Sequence, residues 1–567
     1  MARIVKLDIR NYRGIQSLEL DVSRPLTCFI GRGDSGKTTI LDAIHAVLNP
    51  AWNPTFHDTD FFTCSPLNTI EISATLINLP KKLLTEGKYG LLIRGYDPQT
   101  GEIKDEVDEN STPALTVRLA VDKSLEPSWT VQSGNEHGEK TISANDRSQF
   151  NCFKVADYVD SHFSWSKGTP LHSLLRSLES SETESDTSLI LEALRKAKEA
   201  IDQGGFENLD AATKAIIKEA SSLGLDIAEA STTIDVRDLT IRDGKICLHD
   251  GHVPFRLKGK GSKRLASMAI QSALAQEGGI MLIDEIEQGL EPDRISNLVR
   301  TLKDENSMGQ IFMTTHSRDA ICELEVSDQC LLVKDKVDNK LEAKGLDIAN
   351  DNLKKAVRAC PEAFFAARVI VCEGKTEIGI CRALDTFRKG NDMQLMAFRD
   401  CAYVDGGGSS QIDRASEIAN AGFKVAVLCD SDVKEVNTKK PELEVLGIKI
   451  FDCSEDLSIE MQSFRDLPWH ALDKMVDYMS DDAYKDLNSF GSALESKYEG
   501  SLPEDWKSVD RPETRKALAL LAQKKELLKR IDHGQKLGEI IFGCFDEIEE
   551  TARLKTMLQG LSDWIDE

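Results

Sequence analysis

A chain of 567 residues is too long for one hydrophobic core and calls for about two to four domains. It is 41% hydrophobic and 29% charged, with no apolar run near the roughly 18 residues of a spanning helix and no secretory stretch after Met1, so a cytoplasmic protein without membrane contact is expected. A net charge of −25 argues against coating DNA by bulk electrostatics, yet leaves room for nucleic acid as a partner where bound cations or a local basic patch offset the charge.

The thirteen cysteines form no Cys-x-x-Cys pair, which favours buried thiols over disulfides or zinc. Residues 4–9 alternate as a strand, and Asn11-Tyr12-Arg13-Gly14 reads as a turn. A short apolar run, 26–30, then ends in Gly31-Arg32-Gly33-Asp34-Ser35-Gly36-Lys37-Thr38. This is the full G-x-x-x-x-G-K-[ST] pattern. Its backbone N–H groups close around phosphates, its lysine reaches the terminal phosphates and its threonine hydroxyl ligates Mg²⁺. The helix that starts at Thr39 aims its N-terminus at the same anion, so Gly31, Gly33, Asp34, Ser35, Gly36, Lys37, Thr38 and Thr39 form the expected ATP site.

Residues 80–150 are polar, with turn signals between short strands, and are expected to form a β-rich lobe. Residues 168–231 read as helical, with apolar i, i+3, i+4 spacing at 188–197 and 212–220. Their exposed stripes suit either a dimer contact or packing on the ATPase part. Arg256, Lys258, Lys260, Lys263 and Arg264 crowd one loop, which is either a solvated basic face or a phosphate contact. The buried run 279–283 ends in Asp284 and Glu285, suited to holding Mg²⁺ through water and to polarising an attacking water as general base. The run 311–315 ends in His316, a candidate γ-phosphate sensor.

Two acidic turns follow in the last third. Val369-Ile370-Val371-Cys372 leads to Glu373-Gly374-Lys375-Thr376-Glu377, and Val425-Ala426-Val427-Leu428-Cys429 leads to Asp430-Ser431-Asp432. Carboxylates at the carboxyl ends of buried parallel strands are how an α/β sheet holds divalent cations, and all-oxygen ligands suit Mg²⁺ or Mn²⁺. Between the two turns, Tyr403 to Gly408 reads as a strand ending in glycines, where a phosphate can approach the backbone. The run 448–451 leads to Glu455, Asp456 and Glu460.

The first half resembles the ABC-type ATPases of the RecF-like and SMC-like group, through Asn11-Tyr12-Arg13, the phosphate loop, Asp284-Glu285, Gly289-Leu290-Glu291-Pro292 and His316, in that order. In that group two heads close on ATP, each lending a signature loop to the other. The matching loop here is 257–264, and it departs from the pattern, because Gly259 stands where a serine contacts the γ-phosphate. The resemblance therefore implies ATP as a regulatory ligand as readily as a substrate.

The second half resembles the Toprim fold, through Glu-Gly-x-x-Glu and Asp-x-Asp. Topoisomerase and primase are set aside, since none of the eight tyrosines sits in a recognisable DNA-gripping domain and no zinc module is present. Together the halves resemble the OLD (overcoming lysogenization defect) nucleases, including the Gabija nuclease subunit and retron OLD-type effectors.

That resemblance implies an α/β chain of five parts. These are an ATPase head over 1–167 and 232–345, a helical dimerisation insertion over 168–231, a Toprim domain over 346–465 and a helical extension over 466–567 that completes it. It implies metal ligation by Glu373, Glu377, Asp430 and Asp432, with Glu460 as a further acid and Glu455 and Asp456 as rivals. A basic residue is expected to stabilise the transition state, with Lys536 the first choice and Lys555 and Arg553 the alternatives. The implied activity is two-metal cleavage or nicking of DNA by a dimer or tetramer, as an anti-phage effector. The implied partner is a retron reverse transcriptase with its small DNA or a helicase-like protein. The competing expectation is a DNA-repair or clamp-type ATPase whose Toprim domain binds DNA ends.

Overall fold

The computed structural model describes residues 2–51, 54–133, 138–164, 168–178, 247–276, 279–304, 309–334, 340–346, 351–524 and 527–567, with single positions at 192, 196 and 199. The helical insertion expected at 168–231 lies outside the described residues, apart from the helix Pro170–Leu178 and an ion pair of Glu192 with Lys196. Two units are drawn from separated stretches of chain. The first takes 1–26, 38–291 and 305–313, and the second takes 27–37, 292–304 and 314–567.

The first unit holds an antiparallel sheet. Its central strands Arg3–Tyr12, Ile70–Ile77 and Thr112–Val121 are flanked by Ile15–Asp21 on one side and Arg94–Tyr96 and Pro127–Gln132 on the other. Residues 7 and 9 and residues 70, 72, 74 and 76 are fully buried, as the period of a half-buried strand requires, and a register shift between Ile4 and Lys6 lets Ile4 be buried as well. The expected β-rich lobe thus forms over 70–141. The indole N–H of Trp129 donates to the carbonyl of Ala46 on the helix Lys37–Leu48, and the Arg147 guanidinium stacks 3.9 Å above the Trp129 ring. A parallel set, Cys152–Val155, Ile280–Ile283 and Gln310–Thr314, is buried along almost its whole length.

The second unit carries the strand Leu26–Ile30 in parallel with Gln329–Lys334, which pairs in turn with Leu341–Gly345. The helix Asp351–Ala359 ends before Pro361, which cannot continue it, and a 3₁₀ turn, Pro361–Phe365, follows. A four-stranded parallel sheet follows, in the order Cys401–Asp405, Arg368–Cys372, Lys424–Cys429, Lys449–Asp452. Its central strands read as continuous apolar runs because both faces are covered.

Helices from residue 459 onward close over this sheet. One core joins Ile370 and Leu428 of the strands to Leu472, Phe490, Leu518, Leu537 and Leu561 of the later helices. The last helix, Arg553–Asp566, buries Leu554, Leu558, Leu561 and Ile565 completely. At about 2 kcal/mol per buried side chain, these four contribute on the order of 8 kcal/mol, comparable to the whole stability of a domain. The fully buried Arg388 also grips that helix, donating to Ser562 and pairing with Asp566 at 2.7 Å. All thirteen cysteines are free thiols, and among the described residues no helix is long and apolar enough to cross a membrane.

The helices Lys375–Gly390 and Ile531–Gly543 cross in close contact because glycines remove the side chains between them. A Cβ at Gly534 would fall 2.3 Å from the carbonyl oxygen of Thr376, and one at Gly379 would fall 2.3 Å from the amide nitrogen of Gln535. Gly534→Ala is therefore expected to destabilise the chain by about 2 kcal/mol or more, seen as a lower urea midpoint. An unchanged midpoint would show that the helices separate without cost.

Candidate metal centre and nucleotide site

The parallel sheet of the second unit delivers acids at the carboxyl ends of its two central strands. Glu373 follows Cys372 directly. Its backbone N–H donates to the carbonyl of Leu428, and its carboxylate Oε2 accepts from the N–H of Asp430 at 2.9 Å. The two acidic turns are thus bonded to each other. Gly374 begins the next helix, and Glu377, one turn in, accepts from the Gly374 N–H at 2.8 Å. This is an acid at a helix N-terminus, held by an otherwise unpaired amide.

Asp430 is 5% exposed, and its Oδ1 accepts from the N–H of Ile459 at 2.7 Å. That amide opens the helix Ile459–Asp466, which Ser458 caps and which carries Glu460 in its first turn. Glu460 is 1% exposed, and neither of its oxygens accepts a hydrogen bond. The Lys529 ammonium lies 3.3 Å from its Oε1 as an ion pair. The rival acids Glu455 and Asp456 are exposed. Asp432 is exposed too, with the amide of Gln523 at 3.4 Å.

Burial, reinforced by Glu460 and Glu373, pushes the Glu377 carboxyl up to about 7. Burial, with Glu377, Glu460 and Glu373 beside it, pushes Asp430 up to about 9. Burial pulls Lys529 down, but Glu460, Asp430 and Glu377 outweigh it and hold this ammonium above its ordinary range. Glu373, Glu377, Asp430, Glu460 and Lys529 therefore act on one another as one electrostatic cluster.

Lys536 is not brought there. It lies seven residues after Lys529, within the helix Ile531–Gly543, half exposed and 3.6 Å from Glu539. Lys555 donates to the Ile548 carbonyl and pairs with Glu550, while Arg553 is taken by Asp452. Lys529 is placed instead by Thr376, whose hydroxyl donates at 2.9 Å to the carbonyl of the preceding residue, Leu528. The sequence hides it among Lys524, Lys525, Lys529, Arg530 and Lys536, with no spacing to single it out.

The residues fit divalent cations. The donors are all carboxylate oxygens, and Glu460 offers two buried ones without a hydrogen bond. Among the described residues no three acids, histidines or cysteines already stand at coordination spacing. Glu373, Glu377 and Asp430 each spend one oxygen on a backbone amide, which holds the acids apart while they repel one another. Behind Glu373 the triglycine turn is packed tightly. The N–H of Gly408 donates to the Glu373 carbonyl, and a Cβ on Gly406 would fall 2.4 Å from the Cys372 carbonyl oxygen.

The phosphate-loop residues 31–37 belong to the second unit. There, Gly31 has a φ of +145°, and a Cβ on it would fall 2.6 Å from the Leu332 carbonyl oxygen. The Lys37 ammonium is buried and donates to the carbonyls of Gly31 at 2.8 Å and Arg32 at 2.6 Å, so it is folded onto its own loop. Gly33 and Asp34 are exposed, Ser35 is buried and Gly36 has a φ of +85°. His316 is exposed, its ring 6.1 Å from that of Phe365.

In the first unit the Thr38 hydroxyl donates to Asp284 Oδ1 at 3.0 Å, and Thr39 is half-buried in the same helical turn. Lys154 pairs with Asp284 at 3.0 Å and with Asp42 at 2.6 Å, and Arg13 pairs with Asp42 and Asp60. Glu285 is exposed, with a φ of +48°.

The basic loop is not a free phosphate-binding face throughout. Arg264 is fully buried and donates to the carbonyls of Ala156, Asp284 and Glu285, fixing the turn after the Asp284 strand. Lys263, Lys260 and Lys258 pair with Asp160, Asp157 and Asp250. Lys154 was not singled out from the sequence, and Arg264 was read only as one member of the basic loop. A lysine within a strand and an arginine within a basic run show no such role before the fold buries them.

Residues 3–321 match the AAA ATPase domain family, and residues 364–432 match the Overcoming lysogenization defect protein-like TOPRIM domain. A curated relative, the energy-coupling factor transporter ATP-binding protein EcfA2 of Mycoplasma pneumoniae, is 37% identical over 81 residues, which are 14% of this chain. The chain spans 25% of the length of that relative. The Smc head domain from Pyrococcus furiosus, bound to a domain of ScpA, aligns over 61% of this chain and 97% of its own, with 14% identity and a TM-score of 0.35. The SMC head domain from Thermotoga maritima aligns over 61% of this chain and 99% of its own, with 12% identity and a TM-score of 0.29.

The acidic cluster makes stability depend on pH in a known direction. Glu377 and Asp430 have raised pKa values in the folded chain, so folding holds protons that the unfolded chain has lost above about pH 4. Their contribution is therefore lost as pH rises, through about 7 for Glu377 and about 9 for Asp430. In chelator, the melting temperature is expected to fall between about pH 6 and pH 8.5 more steeply than in Asp430→Asn. Mn²⁺ is expected to restore it more at the higher pH. An equal Mn²⁺ response in Asp430→Asn would contradict metal binding by this cluster.

Proposed function

Because the chain belongs to the AAA ATPase domain family and carries an OLD-like TOPRIM domain behind it, we propose that it is an ATP-binding, metal-dependent DNA endonuclease or nickase. The observation that carries this reading is the set of buried Glu377, Asp430 and Glu460 with half-buried Glu373 beside them and Lys529 against them. A topoisomerase or primase has no use for such a set without a strand-holding tyrosine or a template module. A hydrolase needs nothing more at the reacting phosphate.

The four acids would hold two Mg²⁺ or Mn²⁺ ions, with exposed Asp432 at the mouth of the site. Bound there, such cations supply the Lewis acidity that lowers the pKa of a water and stabilises a departing oxygen. The chain supplies position and charge. Glu373 and Asp430 are fixed to each other through the Asp430 amide, so the two turns move as one piece. Glu377 and Asp430, protonated near neutrality without metal, release their protons as the site fills. Lys529 stays charged and, tethered through the Thr376–Leu528 bond, places one cation beside the phosphate as its charge builds.

ATP has a regulatory place in this reading. Lys154 already offsets the charge of Asp284, and the signature-like loop carries Gly259 and has its lysines paired with acids of its own unit. Both features favour binding over fast turnover. We extend the reading to a defence effector acting as a dimer or tetramer, held by a retron reverse transcriptase with its DNA or by a helicase-like protein. Its neighbouring genes would distinguish the two partners. The competing reading, a clamp-type ATPase that only grips DNA ends, rests on the intact Thr38–Asp284 pair and predicts DNA-stimulated ATP turnover without cleavage.

In a plasmid-nicking assay with Mn²⁺, Glu460→Gln and Asp430→Asn are expected to lose at least about 100-fold in rate. Lys529→Met is expected to lose about 10- to 100-fold, and Lys536→Met to stay near the parent. Parental cleavage by Asp430→Asn would end the nuclease reading, and equal loss in the two lysine variants would end the assignment of Lys529.

A further inference from the structure

The phosphate loop holds one cation that its usual chemistry does not require. Arg32 follows Gly31, and its guanidinium turns away from the loop. Its Nε lies 2.5 Å from Asp400 Oδ1, and a terminal nitrogen donates to the carbonyl of Ala397. Both partners belong to the turn Met396–Arg399 and the residue after it, next to the acid-bearing parallel sheet. Asp400 has a φ of +58°, and its carbonyl accepts from the N–H groups of Ala367 at 2.9 Å and Arg368 at 3.0 Å. Arg368 opens the strand that ends at Cys372, next to Glu373, and Cys401, directly after Asp400, opens its neighbour. One residue thus ties the loop to the starts of two strands of the metal-site sheet.

The other end of Arg32 is also held. Its carbonyl accepts from the Lys37 ammonium at 2.6 Å. A lysine in this motif leaves its own loop for the terminal phosphates when nucleotide enters. That movement frees the Arg32 carbonyl while the incoming anion draws the guanidinium, which binds phosphate at least as well as carboxylate through its planar fork. The same group cannot hold both partners fully.

We propose that nucleotide phosphate and Asp400 compete for Arg32, so that occupancy of the phosphate loop is passed to the base of the Glu373 strand. The proposal rests on reading the loop as a nucleotide site. It adds the contact and the sign. Asp400 holds nucleotide affinity down, and by reciprocity bound nucleotide loosens the Asp400 turn by the same factor.

The test uses the full chain and a fluorescent ATP analogue. Asp400→Asn keeps the left-handed backbone that asparagine tolerates and removes the charge. It is expected to bind the analogue about 5- to 10-fold more tightly than the parent. Arg32→Ala is expected to bind more weakly, and the double variant to match Arg32→Ala, because Asp400 acts only through Arg32. A second measurement needs no variant to fold. Hydrogen exchange at the Ala367 and Arg368 amides is expected to quicken when ATP is added to the parent. Unchanged affinity in Asp400→Asn, or a gain that persists without Arg32, overturns the proposal while leaving the nucleotide site intact. No analogue binding by the parent overturns both.

Discussion

Carboxylates gathered out of water cannot all stay charged unless something positive joins them. This constraint governs the second unit. Glu377, Asp430 and Glu460 are each at most 5% exposed, and Glu373 is bonded to the Asp430 amide among them. Part of the relief comes from protons, hence the raised Glu377 and Asp430, and part from Lys529. Such crowding of carboxylates is poor for stability and suits the binding of cations.

The remaining architecture serves that arrangement. Parallel strands end side by side, so the acids after Cys372 and Cys429 meet although they lie far apart in the chain. The glycine crossing of Lys375–Gly390 with Ile531–Gly543 lets Thr376 reach Leu528, and Lys529 follows from that bond. The last helix, Arg553–Asp566, buries enough apolar surface to be part of the same fold rather than an appendage. In the first unit Lys154 plays a part like that of Lys529, set between Asp42 and Asp284.

Much of this was legible in the order of residues. The phosphate loop, the Asp284 strand and both acidic turns stand where apolar runs stop, and strands end where their burial ends. Four of the five expected acids carry that signal: Glu373, Glu377, Asp430 and Asp432. Glu460 was a choice among three neighbours, and burial distinguishes it, since Glu455 and Asp456 face solvent. The structure sets Lys529, not Lys536, against Glu460. Local sequence around 524–536 is rich in lysine, and only a packing contact made elsewhere, at Thr376, selects among them.

By itself the sequence determined which chemistries are present, because motif spacing and apolar periodicity are local and survive without a fold: a phosphate loop, a strand ending in two acids, and two carboxylate turns. Tertiary structure decided which charges face which. That is a matter of a few ångströms between residues tens to hundreds of positions apart, set by the parallel register of strands, by glycine contacts between helices and by the cost of burying a charge alone. Lys529 against Glu460, Lys154 against Asp284 and Arg32 against Asp400 are all of this kind.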